Sequence, residues 1–175
     1  MKLVKIALGL VVLLVAAVLG GALLIDPAYA VSRSVQVQAS PERVYALIDS
    51  SAGWARWGVW YRRDPQMKVT ETGANRGAGA AWSWTSESQG SGAMTLTAAE
   101  PPQRVAYELR IEGFAPSQGD LTVEPDGAAT RVTWRMHGTM DNLLGRWFGL
   151  FMERLVGPDF DAGLANLKAL AEQPA

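Results

Sequence analysis

"GDLTVEPDGAATRVTWRMHG", Gly119 to Gly138, decides the architecture of this chain. Asp126-Gly127 is a tight-turn signal between two strand-like runs, which reads as a β-hairpin. In the second run Val132, Trp134 and Met136 alternate with Arg131, Thr133, Arg135 and His137. A period of two with one apolar and one polar face is a half-buried strand.

The same pattern recurs on the N-terminal side. "RVAYELRIEG" puts Val105, Tyr107, Leu109 and Ile111 on one face and Glu108, Arg110 and Glu112 on the other. "SGAMTLTAAE" alternates Met94 and Leu96 with threonines, and "GAGAAWSWTS" alternates Ala80, Trp82 and Trp84 with smaller residues. "MKVTE" adds a short run, and "SRSVQVQA", Ser32 to Ala39, opens the series. Consecutive strands joined by short turns make an antiparallel sheet with one wet face.

Helices flank the sheet. In "SPERVYALIDS" Ser40 is an N-cap, Pro41 suits the first helical position, and Val44, Leu47 and Ile48 form a buried stripe. Trp54, Trp57 and Trp60 follow at three-residue spacing, then Arg62 and Arg63. At the C-terminal end Leu143, Trp147, Phe151 and Leu155 recur every four residues. Gly157-Pro158 is expected to interrupt that helix. Phe160, Leu164, Leu167 and Ala171 resume the apolar stripe, with Asp161, Lys168 and Glu172 outside. The fold class is therefore α+β, with a long C-terminal helix covering the apolar face of an antiparallel sheet.

The first 25 residues stand apart. Lys2 and Lys5 precede Ile6–Ile25, a run of twenty residues without a charge, long enough to cross a bilayer core of about 30 Å. "AYA", Ala28 to Ala30, resembles a signal-peptidase site, but a signal's apolar region is roughly 7–15 residues. The length favours an uncleaved anchor. The lysines place the N-terminus in the cytoplasm, hence a single-pass membrane protein with its C-terminal domain on the exported side, periplasmic or extracellular. The expected organisation is an anchor over residues 1–25, a linker over 26–31 and one domain over 32–175.

Composition excludes several chemistries. There is no cysteine, so no disulfide and no thiolate chemistry. One histidine, His137, on a polar strand face does not make a catalytic triad or a transition-metal site. "GANRGAG", Gly73 to Gly79, lacks the Lys-Ser/Thr of a phosphate-binding loop and reads as a turn. Glu108, Arg110 and Glu112 read as a surface ion-pair ladder. The arginines are scattered, which argues against a nucleic-acid partner. No cofactor, metal or catalytic residue is expected.

The order of elements resembles the START-like, helix-grip superfamily (SRPBCC), in particular its polyketide cyclase/dehydrase and lipid-transport branch. The resemblance rests on Pro41-Glu42-x-Val44-Tyr45 with Ile48-Asp49, on Trp54 and Trp57 followed by Asp64-Pro65, and on Gly77-x-Gly79 and Gly90-Ser91-Gly92. "GAATRVTW", Gly127 to Trp134, and "FDAGLANLKALAE", Phe160 to Glu172, complete it. It implies a curved sheet wrapped around the C-terminal helix, with an apolar cavity between them. The N-terminal membrane segment departs from the soluble members.

The pocket-facing set expected from this reading is Trp57, Trp60, Tyr61, Trp82, Trp84, Tyr107, Trp134, Met136, Trp147 and Phe151. Tyr107 is the candidate polar anchor. Trp54 and Trp57 are expected mainly to pack the helices onto the sheet, and Trp60 and Tyr61 to sit at the cavity mouth with Arg62 and Arg63 at its rim. The functional expectation is a membrane-tethered binding protein for a hydrophobic small molecule or lipid. The alternatives are a cyclase/dehydrase-like enzyme and a cell-envelope interaction domain without a ligand.

Overall fold

The computed structural model describes residues 2–174. Helix α1, Lys2–Leu23, carries Lys2 and Lys5 near its start, is apolar on every side from Ile6 onward and is almost wholly exposed. Among the described residues it is the one helix long and apolar enough to cross a membrane.

Strand β1, Ala28–Val37, begins four residues before Ser32, where the alternation first becomes legible. Ala28 to Val31 pair with Thr139 to Met136, and the Pro27 carbonyl accepts from the Met140 amide at 2.8 Å. Three short helices follow: α2 (Pro41–Tyr45), α3 (Ser51–Trp57) and α4 (Val59–Arg63). Ser40 caps α2, its hydroxyl accepting from the Arg43 amide. Ser50 both ends the first turn and starts the next helix, accepting from the Gly53 amide at 3.2 Å. Gly58, in an extended conformation, separates α3 from α4.

The remaining strands are β2 (Lys68–Gly73), β3 (Ala80–Ser86), β4 (Gly90–Glu100), β5 (Arg104–Ile111), β6 (Ser117–Asp126) and β7 (Ala129–Thr139). They form one antiparallel seven-stranded sheet in the order β1-β7-β6-β5-β4-β3-β2. Every connection from β2 to β7 joins neighbours, and β1 closes beside β7. A register shift between Leu96 and Ala98 marks a bulge in β4, which increases twist and helps the sheet curve. The alternation seen in the sequence is the observed burial: Leu96, Val105, Tyr107, Val132 and Trp134 are buried on the concave face.

The C-terminal segment differs from the expectation. The break falls at Leu150–Phe151, between α5 (Leu143–Gly149) and α6 (Met152–Ala171), and α6 runs unbroken through Pro158. Proline removes one donor, but the carbonyl left without it belongs to Arg154, an exposed residue. Gly157 has another role. A side chain there would occupy the space of the Arg33 guanidinium, which reaches from β1 to pair with Glu153 and Asp161 on either side. Helix α6 packs on the sheet through Phe160, Leu164, Leu167 and Ala171, as the stripe requires. This is the helix-grip architecture, α+β, preceded by the apolar N-terminal helix.

Candidate functional site

Trp54 and Trp57 anchor α3 in the same way. Each indole N–H donates at 2.8 Å to a backbone carbonyl of the preceding turn, Ile48 for Trp54 and Leu47 for Trp57. These carbonyls lie past the end of α2, where helical partners run out. The rings then meet Trp134, which projects from the middle of β7. Trp54 and Trp57 approach it edge-on at 5.5 and 5.2 Å, and Phe160 of α6 stacks on it at 3.8 Å. The short helices, the sheet and the closing helix thus all meet at Trp134. Gly163 permits the close approach: a methyl group there would lie 3.0 Å from the Trp134 ring.

Beside this cluster lies an apolar cavity of about 200 Å³, bounded by the concave sheet, α4 and the first half of α6. All five methionines beyond Met1 line it: Met67, Met94, Met136, Met140 and Met152. Thioether chains are flexible and polarizable, which suits a wall that must adapt to its contents. Ligand pockets commonly measure about 300–1,000 Å³, and a 150 Å³ apolar cavity holds a benzene ring. The observed volume takes one ring or a short chain, and movement of methionines would enlarge it.

Polar groups in the wall are few. The Tyr107 hydroxyl accepts from the Trp134 indole at 2.8 Å and donates to the Arg135 carbonyl at 3.4 Å. It is already paired within the protein, and burial raises its pKa well above the ordinary value. Gly119, opposite on β6, leaves the space that this hydroxyl fills. Tyr29 of β1 and Ser117 of β6 both line the cavity, and burial raises the Tyr29 pKa too. Tyr61 of α4 lines the same cavity, and burial pushes its phenol up to about 12. Arg63 closes a bidentate ion pair with Asp159, which borders the cavity. Arg62 binds the Asn166 side chain at 2.7 Å.

Seven of the ten expected pocket residues surround this cavity: Trp60, Tyr61, Trp82, Trp84, Tyr107, Trp134 and Met136. Three do not. Trp57 is fully buried in the aromatic cluster. Trp147 lies on α5, where its indole donates to the Val18 carbonyl of α1 at 3.0 Å. Phe151 is exposed at the α5–α6 break. The four-residue stripe that suggested Trp147 and Phe151 is split by that break, so its first half turns away from the sheet. Conversely, Tyr29, Ser117, Met140, Met152 and Phe160 line the cavity without having been expected there. Tyr29 was hidden in a segment that reads as linker. Met140 follows the last strand and belongs to no periodic run.

The other candidate features are structural. His137 is exposed on β7. Glu108 pairs with Arg110 at the surface. The glycine-rich stretch docks on the end of α2: the Gly77 amide donates to the Asp49 carbonyl at 2.8 Å, and Arg76 grips the buried Asp49 carboxylate at 2.9 and 3.0 Å. Gly73, Gly77 and Gly79 all have positive φ, which is why glycine stands there. Among the described residues no group of three His, Asp or Glu side chains is placed to hold a metal ion.

A curved antiparallel sheet, a closing helix and an apolar cavity between them define a helix-grip protein. The chain belongs to the polyketide cyclase/dehydrase and lipid transport family, whose sequence model matches residues 29–172. Solved structures share the fold at low identity. A Chromobacterium violaceum protein is 16% identical, with a TM-score of 0.62, over 83% of this chain and 99% of its own. The Aha1 dimer from Colwellia psychrerythraea is 14% identical, with a TM-score of 0.58, over 82% of this chain and 96% of its own. The di-domain aromatase/cyclase StfQ of the steffimycin biosynthetic pathway is 12% identical, with a TM-score of 0.65, over 84% of this chain and 52% of its own. No curated protein matches the chain in sequence.

Proposed function

We propose that this protein is a membrane-tethered binding protein for a hydrophobic small molecule or lipid chain, with its domain on the exported face of the membrane. The observation that carries the reading is the cavity wall: aromatic rings and five methionines, with Tyr107 paired to Trp134 and Asp159 to Arg63. Such a wall rewards burial of an apolar ligand and leaves few groups to orient it. The apolar α1, with Lys2 and Lys5 on its N-terminal side, supports the tether and its direction.

The cyclase-like alternative draws on the family name and on the aromatase/cyclase neighbour. It needs a general acid or base in contact with the substrate. The cavity's tyrosines all have raised pKa values, which makes them poor bases at neutral pH, and Asp159 is neutralised by Arg63. Binding is the better-supported reading.

The test is saturable uptake of N-phenyl-1-naphthylamine by the detergent-solubilised full-length chain. Met136→Trp and Met94→Trp, which fill the cavity, should abolish uptake while the fold is retained by circular dichroism. Uptake that survives both substitutions would refute the cavity as the site.

A further inference from the structure

Outside α1 and the turn that follows it, nine large apolar side chains are exposed among the described residues, and six of them fall between Leu144 and Leu155. Leu144 is 68% exposed and Leu150 58%. Between Leu143 and Met152 the only charge is Arg146. An exposed apolar patch of this kind needs a partner.

Two contacts on the same short helix indicate which. The Trp147 indole donates to the Val18 carbonyl, and its ring lies where a side chain on Gly21 would meet it at 2.9 Å. The Arg146 guanidinium reaches the Ala22 and Ile25 carbonyls at 3.4 and 3.5 Å, capping the C-terminal end of α1 with positive charge. Helix α5 is therefore held against the last two turns of α1. Val18 lies seven residues before the end of the apolar run at Ile25, about 10 Å along the helix axis. If α1 spans a bilayer, a helix docked at that level sits within it, at the depth of about 5–10 Å typical of interfacial helices.

We propose that α5 and the α5–α6 turn, with Leu144, Phe148, Leu150 and Phe151 as the apolar face, are embedded in the outer leaflet of the membrane that α1 crosses. The domain then rests on the bilayer with its cavity adjoining lipid. Phe114, which lines the cavity, lies 6.3 Å from Phe148, ring to ring, and Met152, also in the wall, directly follows Phe151. A hydrophobic ligand passes from the leaflet along these residues into the cavity without crossing water. The proposal rests on the tethering read from α1, and its test separates the two.

The absence of cysteine permits single-site labelling of the full-length chain. Phe148→Cys, Val12→Cys and Ala128→Cys are each labelled with the environment-sensitive NBD fluorophore in phosphatidylcholine–phosphatidylglycerol vesicles, with and without brominated phosphatidylcholine. Ala128 sits in the β6–β7 turn at the opposite end of β7 from Met140. The labels at 148 and 12 are expected to be blue-shifted and quenched by bromine, and the label at 128 to stay aqueous. A quenched label at 12 with an aqueous label at 148 overturns the embedding and leaves the tether standing. Unquenched labels at both overturn the tether and the embedding together. A blue-shifted, unquenched label at 148 that grows with protein density means that a second copy covers the patch, which also overturns the proposal. The variant carrying Leu144→Asp and Phe148→Asp should slow uptake of N-phenyl-1-naphthylamine from vesicles by about tenfold, as lost apolar burial predicts. Its equilibrium uptake in detergent should be unchanged. Unslowed transfer from vesicles overturns the entry route.

Discussion

The Trp134 indole N–H donates to the Tyr107 hydroxyl at 2.8 Å inside a largely apolar wall. This bond lets Tyr107 and Trp134 point inward from the concave face with the indole N–H and the hydroxyl paired to each other. Tyr107→Phe removes the acceptor and keeps the ring, so the indole N–H is left buried and unpaired. A loss of about 1–3 kcal/mol in unfolding free energy is expected. Chemical denaturation measures it, and an unchanged midpoint would mean that the indole finds another acceptor.

The three tryptophans of the α3–α4 stretch should separate on truncation. Trp54→Ala and Trp57→Ala each delete a fully buried ring and an indole bond to the preceding turn. Each should cost about 3–5 kcal/mol. Trp60 is half-buried, meets Trp134 only at its edge, 6.1 Å away, and borders the cavity. Trp60→Ala should keep the fold and weaken uptake of the fluorescent probe. Equal loss of stability in all three variants would make the stretch plain core.

All four tyrosines, Tyr29, Tyr45, Tyr61 and Tyr107, have pKa values raised above the ordinary 10.0, in each case chiefly by burial. Their neutral forms are favoured in the folded state. The stability linked to them is complete below the unfolded-state value and is lost as pH rises through the folded values. For Tyr61 that window runs from 10.0 to about 12. Absorbance at 295 nm should show no folded-state tyrosine ionising at its ordinary value, and alkaline unfolding should follow above it. A normal phenolic titration in the folded protein would contradict the burial of all four.

His137 is exposed and on the convex side of β7. His137→Ala should change stability by no more than about 0.5 kcal/mol and leave probe uptake intact. Loss of uptake in a folded variant would give this histidine a role that its position does not suggest.

Ala28 to Ala30 pair with β7, and Tyr29 lines the cavity. Cleavage after Ala30 would remove that part of the wall. The purified protein is therefore expected to retain α1, and mass spectrometry of the intact chain measures this. A mature N-terminus at Val31 would show that the segment is a signal and that the domain works without Tyr29.

The sequence by itself determined most of the secondary elements, the inward face of each central strand and the apolar character of the first helix, but not where β1 begins or where the C-terminal helix breaks. Alternation at period two and stripes at period four are local consequences of backbone geometry, and no distant residue is needed to read them. Caps at Ser40 and the turn at Asp126-Gly127 are likewise set by neighbours. Only the tertiary structure decided which inward residues face a cavity and which face other side chains. Trp57 and Trp60 belong to the same run of tryptophans, yet one is enclosed by Trp54 and Trp134 and the other borders open space. The gathering of five methionines from separate elements around one volume is equally invisible along the chain, as is the turn at Leu150–Phe151 that sends Trp147 toward α1. These are matters of how elements from opposite ends of the chain pack. A residue's own periodicity carries the direction in which it points, not what it meets there.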